Sequence, residues 1–218
     1  MRVGRIYLFF FVALTALVLA NPASATSVTL TYKGHGGASA QGGSPYVGYP
    51  YYFSINGSTT LTPLMCDSFD NTIHLGEHWQ ATVTPFLQGV GMFGSTASLD
   101  YRAAGLIFKS MLAGTLSSTQ AQWAVWGLFS TNAQNNQFFS KIGAGSIDAA
   151  YLTLAASAPN SAFSGLFLYT PINGTFCSNG MPQELIGYSA VPEPGTLTLI
   201  GTGLLGLASA VRRKFAKT

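Results

Sequence analysis

The chain holds two cysteines, Cys66 in Pro63-Leu64-Met65-Cys66-Asp67 and Cys177 in Thr175-Phe176-Cys177-Ser178. In an oxidising compartment two thiols pair by default. A Cys66–Cys177 disulfide would close a loop of over a hundred residues and contribute up to about 4.7 kcal/mol in the chain-entropy view. A third side chain draws attention for a different reason. Gln122 sits in Thr119-Gln120-Ala121-Gln122-Trp123-Ala124-Val125-Trp126, where a helix puts Gln122 and Trp126 one turn apart on one face. That helix is apolar nearly all round, the mark of a buried element. An amide buried there without a partner costs on the order of 1–3 kcal/mol, so Gln122 must be hydrogen-bonded or chemically used.

Other polar clusters are weaker. His74-Leu75-Gly76-Glu77-His78 has the His-x-x-Glu-His order used by some zinc peptidases. That chemistry needs both histidines on one helical face. Gly76 and the strand-like Trp79–Val83 point instead to a turn at a sheet edge, and no metal is assigned. Asp67-Ser68-Phe69-Asp70-Asn71 offers oxygens of the kind calcium takes, but lacks EF-hand spacing. His35 lies in a glycine loop with no identifiable partner. Tyr46, Tyr49, Tyr51 and Tyr52 flank that loop, and either stack on sugars or pack the sheet. No constellation fits an enzyme, and no cofactor is expected.

The elements that must position these residues change period along the chain. Thr26–Tyr32 alternates and is β-branched, so it reads as a strand. Tyr51–Ile55, Asn56-Gly57 and Ser58–Leu61 read as a hairpin with a type I′ turn. Trp79–Val83 is another strand, Leu166–Ile172 and Thr175–Ser178 form a second hairpin around Asn173-Gly174, and Glu184–Val191 is a last strand. Between them the spacing predicts three helices. They are Leu99–Leu112 with Ser98 as its N-cap, one to Phe129 opened by a capping box at Ser117–Gln120, and Ile147–Ser157 capped by Ser146. The expected fold is α+β: a β-rich, sandwich- or barrel-like body with an inserted helical subdomain.

The two ends are greasy and basic. Arg2 and Arg5 precede an apolar Ile6–Ala20, then Asn21-Pro22 and Ala23-Ser24-Ala25, so residues 1–25 read as a signal peptide cut by signal peptidase. Export brings the cysteines into an oxidising setting. At the other end Pro192-Glu193-Pro194 leads into an apolar run, residues 196–211, closed by Arg212-Arg213-Lys214. At 1.5 Å per residue that helix is about 24 Å long, short of a ~30 Å hydrocarbon core by an amount that bilayer thinning or snorkelling absorbs. The basic cluster acts as a stop-transfer signal and stays cytoplasmic.

The tail resembles the PEP-CTERM sorting signal. The resemblance implies recognition by exosortase, a membrane-embedded transpeptidase-like protease, after which the body passes to the cell surface or matrix, often beside exopolysaccharide. Two pieces of the body resemble the thioester domains of bacterial surface adhesins. In that family a Cys near an acidic residue joins a Gln in a Gln-x-x-hydrophobic-Trp helix. The resemblance implies Cys66 as thiol and Gln122 as acyl donor, with Val125 and Trp126 completing the helix motif. It further implies a stored acyl group that an amine on a partner surface captures. Asp67 follows Cys66 directly, where the family usually interposes a hydrophobic residue. Disulfide, thioester and free thiols all stay open, and the first two exclude each other at Cys66.

Three segments follow: a signal peptide (1–25), an exported body (26–191) and a sorting tail with its membrane helix (192–218). Net charge is +3, but the basic residues crowd the ends. Inside the body Lys33, Arg102, Lys109 and Lys141 face six acidic residues, so no basic patch supports nucleic-acid binding. The expected role is structural or adhesive and not catalytic. The expected location is an inner-membrane intermediate, then the cell surface or matrix, with exopolysaccharide or a neighbouring cell surface as partner.

Overall fold

The computed structural model describes residues 26–36, 48–173 and 180–188, with Gly203 beyond them. The chain divides into two compact units, residues 1–187 and 188–218. The expected signal peptide, Cys177, the second strand of the later hairpin, the sorting motif and the membrane helix lie outside the described residues. Among the described residues no helix is long and apolar enough to cross a membrane.

Six strands close into a barrel: β1 (Thr26–His35), β2 (Tyr51–Ile55), β3 (Leu61–Cys66), β4 (His78–Pro85), β5 (Leu166–Pro171) and β6 (Leu185–Tyr188), in the order β1-β2-β3-β6-β5-β4. Of the two expected architectures, the barrel is the one formed. Alternation drives it: Val28, Leu30 and Tyr32 are buried, while Thr29, Thr31 and Lys33 between them are not. Closure leaves no long unpaired edge. Inside, Phe53 meets Trp79 edge-on at 5.5 Å and Tyr32 at 5.4 Å.

The first hairpin turns where Asn56-Gly57 predicts, with φ of 51° and 76°, both positive as a type I′ turn needs. Its second strand starts later than Ser58, at Leu61, with Ser54 opposite Leu61. Ser58 is drawn out of the ladder because its carbonyl accepts from the Ser54 hydroxyl and its own hydroxyl accepts from Thr60 N–H. The last strand begins at Leu185, one residue after Glu184, and residues 189–191 of its expected span lie outside the described residues.

Between β4 and β5 the chain inserts the helices α1 (Ser98–Leu112), α2 (Ser118–Phe129), α3 (Thr131–Gln134), α4 (Gln137–Lys141) and α5 (Ala144–Ser157). The capping box at Ser117 and Gln120 forms as read. Two expected caps do not. Ser98 is helical rather than capping, because a 3-10 turn over Ser95–Ala97 runs straight into α1. Helix α5 starts at Ala144, after Gly143 in the left-handed region, not at Ser146. α3 and α4, too short for a periodic signal, were not expected.

Helix α2 is the hub. Every residue from Ala121 to Gly127 is buried, and the helix packs against β3 and against α1, α4 and α5. Gly127 permits the closest approach: a Cβ there would lie 2.1 Å from Phe139 Cε2 and 2.7 Å from Asp148 Oδ2.

That packing leaves Asp148 buried, with Oδ1 lacking a hydrogen-bond partner. Burial, and secondarily the charge of Asp100, push its carboxyl up to about 7 from an ordinary value of 3.8. The folded chain therefore holds a proton that the unfolded chain has released, so this group's contribution falls as pH rises between those two values. The melting temperature is expected to decline from pH 5 to pH 8, and Asp148→Asn to flatten that decline. An Asp148→Asn protein with the wild-type slope would place the titration elsewhere.

Candidate functional site

Strand β3 ends in the core with Leu64, Met65 and Cys66 all fully buried. Opposite them α2 presents Gln122, also fully buried. The two meet: Gln122 Nε2 donates to the Cys66 carbonyl at 2.5 Å, across 56 residues of sequence. The other end of the amide, Oε1, is buried without a donor. Such an orphaned acceptor costs about 1–3 kcal/mol.

The Cys66 thiol is free. Its partner in the expected disulfide lies outside the described residues, and nothing in the described body supports that bond. The sulfur contacts the Ser68 carbonyl at 3.5 Å. Burial above all pushes the thiol up to about 12, against weaker opposing hydrogen bonds from the Trp126 side chain and the Ser68 backbone. Cys66 is thus a neutral thiol at physiological pH. An inert buried cysteine has this profile, and a thiol waiting to be acylated in place has it too.

A second buried group lies beside the first. The Glu184 carboxyl accepts from Tyr101 Oη at 2.5 Å, Thr170 Oγ1 at 2.5 Å and the Met92 backbone N–H at 2.9 Å. Asp67 Oδ1 accepts from the Ser68 hydroxyl at 2.9 Å, and that hydroxyl accepts from the Glu184 N–H at 3.1 Å. Asp67 Oδ2 is buried without a hydrogen-bond partner, and the two buried carboxyls bear on each other's ionisation. One of them must carry a proton. Glu184 is surrounded by donors, so Glu184 is the carboxylate and Asp67 the neutral acid. Burial first, then the Glu184 charge, hold the Asp67 carboxyl well above its usual range.

The loop between β4 and α1 closes over this network. Gly91 lies against it so tightly that a Cβ would fall 1.9 Å from Tyr101 Oη and 2.7 Å from Glu184 Oε1. Outside the loop is a cavity of about 350 Å³ whose wall includes Phe86, Leu87, Val90, Tyr101 and Arg102. Sequence reading missed Glu184 and Tyr101 altogether. The one available signal was an acid just ahead of an apolar strand, which by itself is commonplace.

The remaining candidates separate. Asp70 is exposed and accepts from Asn132 Nδ2 at 2.7 Å, while Asp67 is fully buried, so the two do not converge on a common cation. The His74–Glu77 segment turns into β4, which starts at His78, with Gly76 at φ 88° and the Glu77 carboxylate accepting from His74 N–H. Tyr51 is buried 6.1 Å from Tyr32, and Tyr49 packs edge-on to Phe108 at 5.5 Å. Tyr51 belongs to the core, Tyr49 and Tyr52 are half-buried, and Tyr46 lies outside the described residues.

Residues 190–214 match the PEP-CTERM protein-sorting motif. The chain carries an exosortase sorting signal. The match spans Pro192, Glu193 and Pro194, the apolar run, and the basic Arg212, Arg213 and Lys214. The sorting motif supports an exported protein that exosortase processes by way of a membrane-anchored intermediate. No curated protein and no solved structure shows significant similarity to the chain.

Proposed function

We propose that the exported body is a surface adhesin that stores an internal Cys66–Gln122 thioester and spends it once, without turnover, on an amine of a neighbouring surface. One observation carries the reading: the Gln122 amide lies against Cys66, both fully buried, with its nitrogen bonded and its oxygen unpartnered. The Cys66 sulfur adds to the Gln122 Cδ carbonyl, the C–N bond breaks, and the thiol proton leaves with the nitrogen as ammonia. No electrons change hands. A partner amine later attacks the same carbon, the C–S bond breaks, and a proton from the amine restores the thiol, leaving an amide cross-link. A thioester oxygen is a poorer acceptor than an amide oxygen, so acylation relieves the orphaned Oε1. The dry core around α2 shields the acyl group from hydrolysis. Export and sorting deliver the protein to a surface where such a link is useful, among neighbouring cells or exopolysaccharide.

Intact mass of protein recovered from its host tests this. The body is expected one ammonia lighter than its sequence, and Cys66→Ala and Gln122→Ala are each expected to abolish the loss. Methylamine is expected to add to the wild type alone. A mass two hydrogens light would instead assign Cys66 to a disulfide with Cys177, and an unaltered mass would leave two thiols and no covalent adhesin.

A further inference from the structure

We infer that the cavity beside the loop after β4 binds a medium-chain aliphatic carboxylate, its chain against Leu87 and Val90 and its head group on Arg102. This chemistry is separate from the thioester reading. The cavity holds about 350 Å³, at the small end of the range for small-molecule sites. Two kinds of wall meet in it. Phe86, Leu87 and Val90 follow β4, whereas Ser98 and Arg102 stand one turn apart on α1, with Asn160 from the 3-10 turn Asn160–Phe163. Val90 is 68% exposed and Leu87 36%, so aliphatic surface lies open to water at the mouth. Covering it with a hydrocarbon chain supplies affinity.

The polar wall carries a cation without an anion. Arg102 Nε donates to the Ala155 carbonyl at 3.0 Å, Nη1 to Asn160 Oδ1 at 3.1 Å and Nη2 to the Ala158 carbonyl. All three acceptors are neutral, and among the described residues Arg102 makes no ion pair. Its guanidinium stands over the Phe163 ring at 4.7 Å, which helps to fix it in place. A guanidinium has five N–H groups, so one on each Nη is left over, enough for the paired contact that a carboxylate makes. No Asp or Glu lines the cavity to take that place. Other occupants match less well. The aromatic residues of the wall, Phe86 and Tyr101, are buried, so no open ring face is offered to a sugar. The barrel is closed, so no strand edge adds main-chain hydrogen bonds to a peptide.

The test is calorimetric titration of sodium octanoate, 1-octanol and an N-acetylated dipeptide ending in leucine into protein recovered from its host. Wild type, Arg102→Lys and Val90→Asp are compared, with the melting temperature of each. Octanoate is expected to bind the wild type, and 1-octanol, which has the same chain and no charge, to bind about tenfold more weakly. Val90→Asp changes an exposed side chain. It is expected to leave the melting temperature alone and, by setting a carboxylate at the mouth, to weaken octanoate about tenfold. Arg102→Lys keeps the charge and loses the planar fork, so it is expected to weaken octanoate more than 1-octanol. An absence of octanoate binding overturns the proposal, and so does equal binding of octanoate and 1-octanol. Octanoate binding that Val90→Asp leaves unchanged overturns it as well, because the chain then sits elsewhere. A dipeptide that binds more tightly than octanoate would assign the cavity to a peptide C-terminus instead. Should Arg102→Lys not fold, Val90→Asp and the 1-octanol comparison decide.

Discussion

Replacing Trp123 with alanine is expected to lower the unfolding free energy by about 3–5 kcal/mol, read as a fall in the urea midpoint at constant slope. Trp123 is fully buried at the centre of α2. Phe69 lies 5.7 Å from its ring, Trp126 5.2 Å and Phe138 6.1 Å. The aromatic cluster thus joins the loop after β3 to α2 and α4, and truncation opens a cavity that all three border. A domain of this kind is stable by only about 5–15 kcal/mol, so one substitution removes a large share. Trp123→Phe, which keeps a ring in place, is expected to cost markedly less. An alanine variant within 1 kcal/mol of wild type would show that the cluster can collapse around the loss.

Glu184→Ala is expected to be as severe, for a polar reason. The substitution leaves the Tyr101 hydroxyl, the Thr170 hydroxyl and the Met92 N–H without their acceptor. Each orphaned buried donor costs about 1–3 kcal/mol, and some re-pair or find water, so a loss of about 3–5 kcal/mol is expected. The fluorescence and chemical-shift changes should centre on the loop from Phe86 to Gly94, which Glu184 ties to the barrel. Wild-type stability in this variant would mean that the network is not formed in solution.

These expectations rest on features of very different legibility. Strand β1, the Asn56-Gly57 turn and the buried helix α2 could be read directly, because each is specified by neighbours in sequence. Alternation, a left-handed dipeptide and a capping box are local signals. The start of β3 was misplaced because Ser58 and Thr60 prefer hydrogen bonds within the turn to the ladder. Ser98 and Ser146 look like caps, yet in both cases preceding residues already carry the helix. α3 and α4 span a single turn or little more, below the length at which periodicity shows.

The candidate site divides along the same line. Its chemistry-bearing residues, Cys66 and Gln122, were visible from residue type and local setting, and so was the sorting tail, a contiguous motif that machinery reads as sequence. Their contact was not, since closing the loop between residues 56 apart depends on α2 docking beneath β3. The acid pair is still further removed: Asp67 and Glu184 are brought together only when β6 pairs with β3, setting Cys66 opposite Leu185. Local propensity sets elements because its interactions are between near neighbours. The protonation of Asp67 and the neutrality of Cys66 arise from burial and from distant partners, and so exist only once the barrel has closed.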